Sequence, residues 1–89
     1  MIALRSLSSV EQKAVRRALQ DLAELDLQQQ SHRMKLIRLT VNTPGVKWYK
    51  FRAGIKLRLV LSISDVRGIV VEDIMYHDRL AGFHPAFAS

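Results

Sequence analysis

Trp48-Tyr49-Lys50-Phe51-Arg52-Ala53-Gly54-Ile55-Lys56-Leu57-Arg58-Leu59-Val60-Leu61 alternates in polarity with a period of two on either side of a glycine. Such alternation marks two half-buried strands joined by a short turn. In the second half Leu57, Leu59, Leu61 and Ile63 share one face, leaving Lys56, Arg58, Ser62 and Ser64 on the other. In the first half Tyr49 and Phe51 lie opposite Trp48, Lys50 and Arg52. Directly paired residues point the same way, so only an odd loop buries both apolar rows together. A loop of Ala53-Gly54-Ile55 meets that condition and predicts Arg52 against Lys56 and Lys50 against Arg58. A two-residue loop would set Lys50 opposite Leu57 and mix the faces.

The charge distribution sharpens this. Between Leu27 and Ser64 there is no carboxylate, yet the window holds Arg33, Lys35, Arg38, Lys47, Lys50, Arg52, Lys56 and Arg58. All eight acidic residues lie outside it, and the net charge is +6. Four cations gathered on one side of two strands repel each other unless an anion is shared, and the expected anion is a nucleic-acid backbone. The plainer alternative is a solvated strand face whose cations discourage edge aggregation. Ordinary surfaces mix the two signs, which counts against it. Trp48 has two readings: an aromatic that stacks an unpaired base, or a packing residue at the sheet margin.

Outward from this hairpin the chain reads as an α+β domain. Ser8-Ser9-Val10-Glu11 fits a capping box. Val15, Ala18, Leu19, Leu22 and Leu25 then recur at helical spacing, with Arg17 and Asp21 placed for an i,i+4 pair. The spacing predicts an amphipathic helix of about five turns that fades in Gln28-Gln29-Gln30. Further strands are expected over Arg33–Thr40, Val46–Arg52, Lys56–Ser64 and Ile69–Tyr76, with turns at Asn42-Thr43-Pro44-Gly45 and Asp65-Val66-Arg67-Gly68. Short links favour an antiparallel meander, a twisted sheet of three to four strands covered on one face by the N-terminal helix. Met1–Leu7 is a candidate for an additional edge strand.

Length and composition set the outer limits. Eighty-nine residues form one domain, 1–89, burying roughly 60–70% of the surface its unfolded chain exposes. The absence of cysteine excludes disulfide scaffolds, thiolate zinc sites and thiol nucleophiles. No apolar run approaches the ~20 residues that span a bilayer, and Met1-Ile2-Ala3-Leu4-Arg5 lacks the form of a secretory signal. The expectation is a soluble cytoplasmic protein without contact to membrane. His32, His77 and His84 have no ligand spacing, so no metal and no other cofactor is expected.

One family shares the order of these pieces. Trp48-Tyr49-Lys50-Phe51-Arg52-Ala53-Gly54, Leu57-Arg58-Leu59-Val60-Leu61, Ile69-Val70-Val71 and Asp78-Arg79-Leu80-Ala81-Gly82-Phe83 together resemble the RelE/ParE toxin superfamily. That family presents an aromatic–Lys–x–basic strand, a glycine turn, an RLVY-like strand, a β-rich fourth strand and a closing Arg–x–x–x–aromatic. The similarity spans roughly residues 9 to 83.

What the resemblance implies is the toxin of a toxin–antitoxin pair. RelE-like members are ribosome-dependent mRNA endonucleases (mRNA interferases) that inhibit translation, while ParE-like members inhibit gyrase without being nucleases. In the RelE-like reading Lys50, Arg52 and Arg58 match positions that hold the scissile phosphate, and Arg79 falls in the terminal basic motif. Phe83 stands where a Tyr often assists proton transfer, so His77, beside Asp78, becomes the substitute acid or base. Lys47, Trp48 and Lys56 are candidate RNA contacts. Such a cut needs charge stabilisation on the non-bridging phosphate oxygens, which pre-placed Lys and Arg supply. The implied partners are a cognate antitoxin, the ribosome and mRNA. The alternatives are a ParE-like gyrase inhibitor, a decayed toxin that only binds antitoxin or nucleic acid, and a general RNA-binding module.

Overall fold

The structure, a computed structural model, describes residues 4–41 and 43–82. Its main helix, α1 (Ser9–Ala23), begins with the predicted capping box. The Ser8 hydroxyl accepts from the Glu11 N–H at 3.2 Å, and Glu11 Oε1 accepts from the Ser8 N–H at 3.1 Å. Two orphan amides are thereby satisfied. Val15, Ala18 and Leu22 are buried against the sheet, chiefly its Lys47–Ala53 strand, and Leu7 joins them from just before the helix. Leu19 is 38% exposed, contrary to its expected core role, because α1 meets the sheet along a narrow stripe only. Arg17 and Asp21 pair at 3.5 Å on the open side.

The helix is shorter than its apolar spacing suggested. Asp26 offers its carboxylate to the Gln28 N–H at 3.0 Å and the Gln29 Nε2 at 3.4 Å, while its own N–H donates to His32 Nδ1 at 2.9 Å. A short acidic side chain competing for backbone donors favours a turn over another helical step. The Gln run therefore leads into a one-turn helix, α2 (Gln30–Arg33). The first strand is correspondingly β1 (Ile37–Leu39) rather than Arg33–Thr40. The N–H groups of Met34, Lys35 and Leu36 are spent on the carbonyls of Gln30, His32 and Arg33. Leu4–Ser6 is a 3-10 turn, not an edge strand, and Met1–Ala3 lie outside the described residues.

Strands β2 (Lys47–Ala53), β3 (Leu57–Ser64) and β4 (Gly68–Tyr76) complete a four-stranded antiparallel meander in the order β1-β2-β3-β4. One face carries Ala53, Leu57 and Tyr76 in one row, then Phe51, Leu59 and Ile74, then Tyr49, Leu61 and Val71. These pack beneath α1. Arg38, facing Tyr49 from β1, lays its guanidinium 5.7 Å from the ring centroid.

The β2–β3 register corrects one expectation. The loop is three residues long, as parity demands, but it consists of Gly54-Ile55-Lys56. Arg52 therefore faces Arg58, Lys50 faces Val60, and Lys56 sits in the turn. The one-residue displacement lets Ala53 pair with Leu57, both 1% exposed, and puts Gly54 where φ is +82°. A three-residue loop leaves the division of faces untouched.

The other face is not open throughout. After β4 the chain turns back in a 3-10 segment, His77–Gly82, and Leu80 joins Trp48 and Val60 in a second small core. Leu39, Val41, Val46 and Met75 flank it. A bulge in β4 leaves Glu72 without a partner across the ladder, between Val71 and Asp73. Its Oε1 accepts from the Ser62 hydroxyl at 2.8 Å and lies 3.8 Å from an Arg67 nitrogen. No helix among the described residues is long and apolar enough to cross a membrane.

The turn supplies a stability test with an internal control. A Cβ at Gly54 would meet the Ala14 Cβ at 3.1 Å, whereas one at Gly68 would meet nothing within 4 Å; both have positive φ. Left-handed backbone costs a residue with a Cβ about 1–2 kcal/mol. Urea denaturation is expected to place Gly68→Ala within that range and Gly54→Ala beyond it, because α1 must also shift.

Candidate nucleic-acid interface

The face turned away from α1 resolves into three rows across β2, β3 and β4: Arg52, Arg58, Met75; then Lys50, Val60, Asp73; then Trp48, Ser62, Val70. Ile37 and Leu39 of β1 extend the second and third rows. Lys50, Arg52 and Arg58 thus share a side, and the two arginines are direct cross-strand partners at the β2–β3 turn.

That turn holds both guanidinium groups. Arg52 Nε donates to the Gly54 carbonyl at 2.9 Å. Arg58 Nη1 donates to the Leu57 carbonyl at 2.8 Å, with longer contacts to Ile55 at 3.3 Å and Gly54 at 3.5 Å. Among the described residues neither arginine, nor Lys50, forms an ion pair. Burial, and then the neighbouring charge of Arg52, hold the Arg58 guanidinium below its usual value. Both effects disfavour the cation, and an incoming anion would offset the second. Arg52 keeps both terminal nitrogens for a ligand, and Arg58 keeps Nε and Nη2. Planar forks of this kind suit phosphate oxygens.

The remaining expected site residues fall in different places. Lys47 pairs with Ile63 and has the parity of Tyr49 and Phe51, so it belongs to the opposite side of the sheet. Trp48 is 1% exposed inside the second core, which makes it a packing residue rather than a platform for a base. Lys56, His77 and Arg79 come together just beyond the arginine pair. The His77 N–H donates to the Lys56 carbonyl at 2.7 Å, carrying the β3–β4 association one step past Leu57–Tyr76. With Ile55, Tyr76 and Asp78 they line an open hollow of about 490 Å³. Phe83 and His84 lie outside the described residues.

Two features were missed from the sequence. The carboxylate-free window does not yield a uniformly cationic face, because β4 brings Asp73 into the row of Lys50 and Val60. Two strand spacings separate Asp73 from Lys50, roughly 10 Å between backbones. The positive charge is therefore concentrated at the turn end. The hollow around Asp78 was also missed, since its residues come from two segments about twenty positions apart and no spacing rule connects them. Among the described residues no group of three or more His, Asp or Glu side chains could hold a metal ion.

Comparison of the chain with protein-family models, with curated proteins and with solved structures finds no match. The fold and the arrangement of charges are therefore the grounds for a functional reading.

Replacing Trp48 separates packing from recognition. Trp48→Ala is expected to cost about 3–5 kcal/mol of stability, the usual range for emptying a buried aromatic site. Trp48→Phe should retain most of the fold, and if the face binds RNA, its affinity should stay within twofold of the parent, roughly 0.4 kcal/mol. A stable Trp48→Phe protein with a large loss of affinity would return Trp48 to the binding surface.

Proposed function

We propose that this chain is the toxin of a toxin–antitoxin pair, acting as a RelE-like, ribosome-dependent mRNA endonuclease. The observation that carries the reading is the facing pair Arg52 and Arg58, tied to the carbonyls of one turn and matched by no carboxylate among the described residues. Lys50 shares their face one row away. A pre-placed cluster of donors costs little to reorganise when charge develops on a phosphate.

In the proposed reaction an RNA 2′-OH attacks the adjacent phosphorus and loses its proton to a base. The bond from phosphorus to the 5′-oxygen breaks, and that oxygen takes up a proton. The products are a 2′,3′-cyclic phosphate and a 5′-hydroxyl. Arg52 and Arg58 stabilise the charge that builds on the non-bridging oxygens. His77, located with Lys56 and Arg79 beside the same turn, is the proposed proton carrier. The acidic antitoxin expected for such a toxin would neutralise this end of the sheet.

Induced expression in a bacterial host is the direct test. Growth and translation should stop, and 5′-end mapping should find mRNA cut within codons. Arg58→Ala should slow cutting by about 10²–10³-fold, the usual consequence of removing one charge-stabilising donor. Uncut mRNA together with a DNA-damage response would select the gyrase-inhibiting alternative. Uncut mRNA with normal growth would remove the toxin reading altogether.

Binding gives an independent measure. Affinity for single-stranded RNA should fall with salt, and the log–log slope should become shallower by about 0.7 for each phosphate the protein no longer neutralises. Arg52→Ala and Arg58→Ala should each show that change, whereas Lys47→Ala, on the other side of the sheet, should show less. A salt-independent affinity would rule out phosphate binding.

A further inference from the structure

We infer that the hollow beside the arginine pair receives the nucleobase next to the bound phosphate, and that Asp78 selects guanine there. This inference rests on the phosphate-binding reading above and adds a specificity to it.

Position is the first argument. Ile55 and Lys56 line the hollow and also belong to the turn that holds Arg52 and Arg58. The Ile55 carbonyl itself contacts Arg58 Nη1 at 3.3 Å. A chain whose phosphate sits on the arginines can therefore turn a neighbouring base into the hollow around the tip of the hairpin. The volume, about 490 Å³, lies within the range of small-molecule sites.

The lining matches a base rather than a second phosphate alone. Ile55 is 81% exposed, an apolar ledge at the turn tip with nothing packed over it. Tyr76, half-buried against the main core beneath α1, borders the hollow from the end of β4. Apolar and aromatic surfaces beside cations are what unpaired bases stack upon.

The polar groups then choose among bases. Lys56 and Arg79 are donors only, and Asp78 is the one carboxylate among the lining residues. Although cations surround it, Asp78 forms no ion pair within 4.0 Å among the described residues. Its oxygens are left to accept from a ligand. Guanine presents two adjacent donors, N1–H and N2–H, for a carboxylate, with O6 and N7 for a lysine or arginine. Adenine places the unprotonated N1 where the carboxylate would lie, which is repulsive. Uracil offers one donor, N3–H, flanked by two acceptors, and cytosine one amino group beside the acceptor N3, so neither presents two adjacent donors, and both fill less of the hollow.

The test uses fluorescence anisotropy with uridine hexamers carrying guanine, adenine or hypoxanthine at one central position. The full chain should bind the guanine oligomer about tenfold more tightly than the adenine one, as one good two-bond contact requires. Hypoxanthine, which lacks the 2-amino group, should fall between them. Asp78→Asn and Asp78→Ala should both bring the ratio close to one, with unaltered melting temperatures showing that the fold persists. Equal binding of guanine and adenine oligomers by the parent chain overturns the inference, as does a guanine preference that survives both substitutions. If RNA binds with the expected salt slope but without preference, only the base assignment fails. If no oligomer binds at all, the phosphate reading fails and takes the base assignment with it.

Discussion

The loop Gly54-Ile55-Lys56 is the constraint on which the rest depends. Its odd length puts Tyr49 and Phe51 on the same side as Leu57, Leu59 and Leu61, so that α1 can cover one continuous apolar surface. The same parity sends Lys50, Arg52 and Arg58 to the reverse side. Gly54 adopts a φ of +82°, and a Cβ there would press on the Ala14 Cβ at 3.1 Å, so turn and helix approach most closely with glycine at this position. Core packing and the placing of the cations are therefore one geometric decision, made at one turn.

Physical chemistry explains how such a pair of arginines can persist unliganded. Two unit charges roughly 6 Å apart in water repel by less than about 1 kcal/mol, a cost a small domain can carry. The carbonyl oxygens of Gly54, Ile55 and Leu57 offset part of that repulsion and restrict the side chains that donate to them. Little rotamer freedom then remains to be lost when an anion arrives. The partial burial that lowers Arg58 works in the same direction, since attraction to a bound phosphate grows as water is excluded.

The second core shows how a two-sided sheet is made from a one-sided pattern. Trp48 and Val60 have the parity of the cations and would be read from alternation as surface residues. They are buried because the 3-10 segment after β4 reverses the chain and delivers Leu80 onto them. This cover stops short of Arg52 and Arg58, so the cations are framed at the turn end instead of being spread along the sheet. The bulge at Glu72 adds to the division by turning a carboxylate toward Ser62 and Arg67.

By itself the sequence determined the capped helix, the four-stranded meander and the face on which Lys50, Arg52 and Arg58 stand. Each of these follows from local hydrogen bonding or from side-chain period, and both are properties of neighbours along the chain. Only the tertiary structure decided that Arg52 faces Arg58 rather than Lys56, because burying Ala53 against Leu57 outweighs any one-residue preference of the loop. It likewise decided that Trp48 is interior, that Asp73 enters the cationic face, and that Asp78 meets Lys56 across a hollow. Those outcomes depend on contacts between segments far apart in sequence, whose energies arise only once the sheet has closed and the chain has folded back across it.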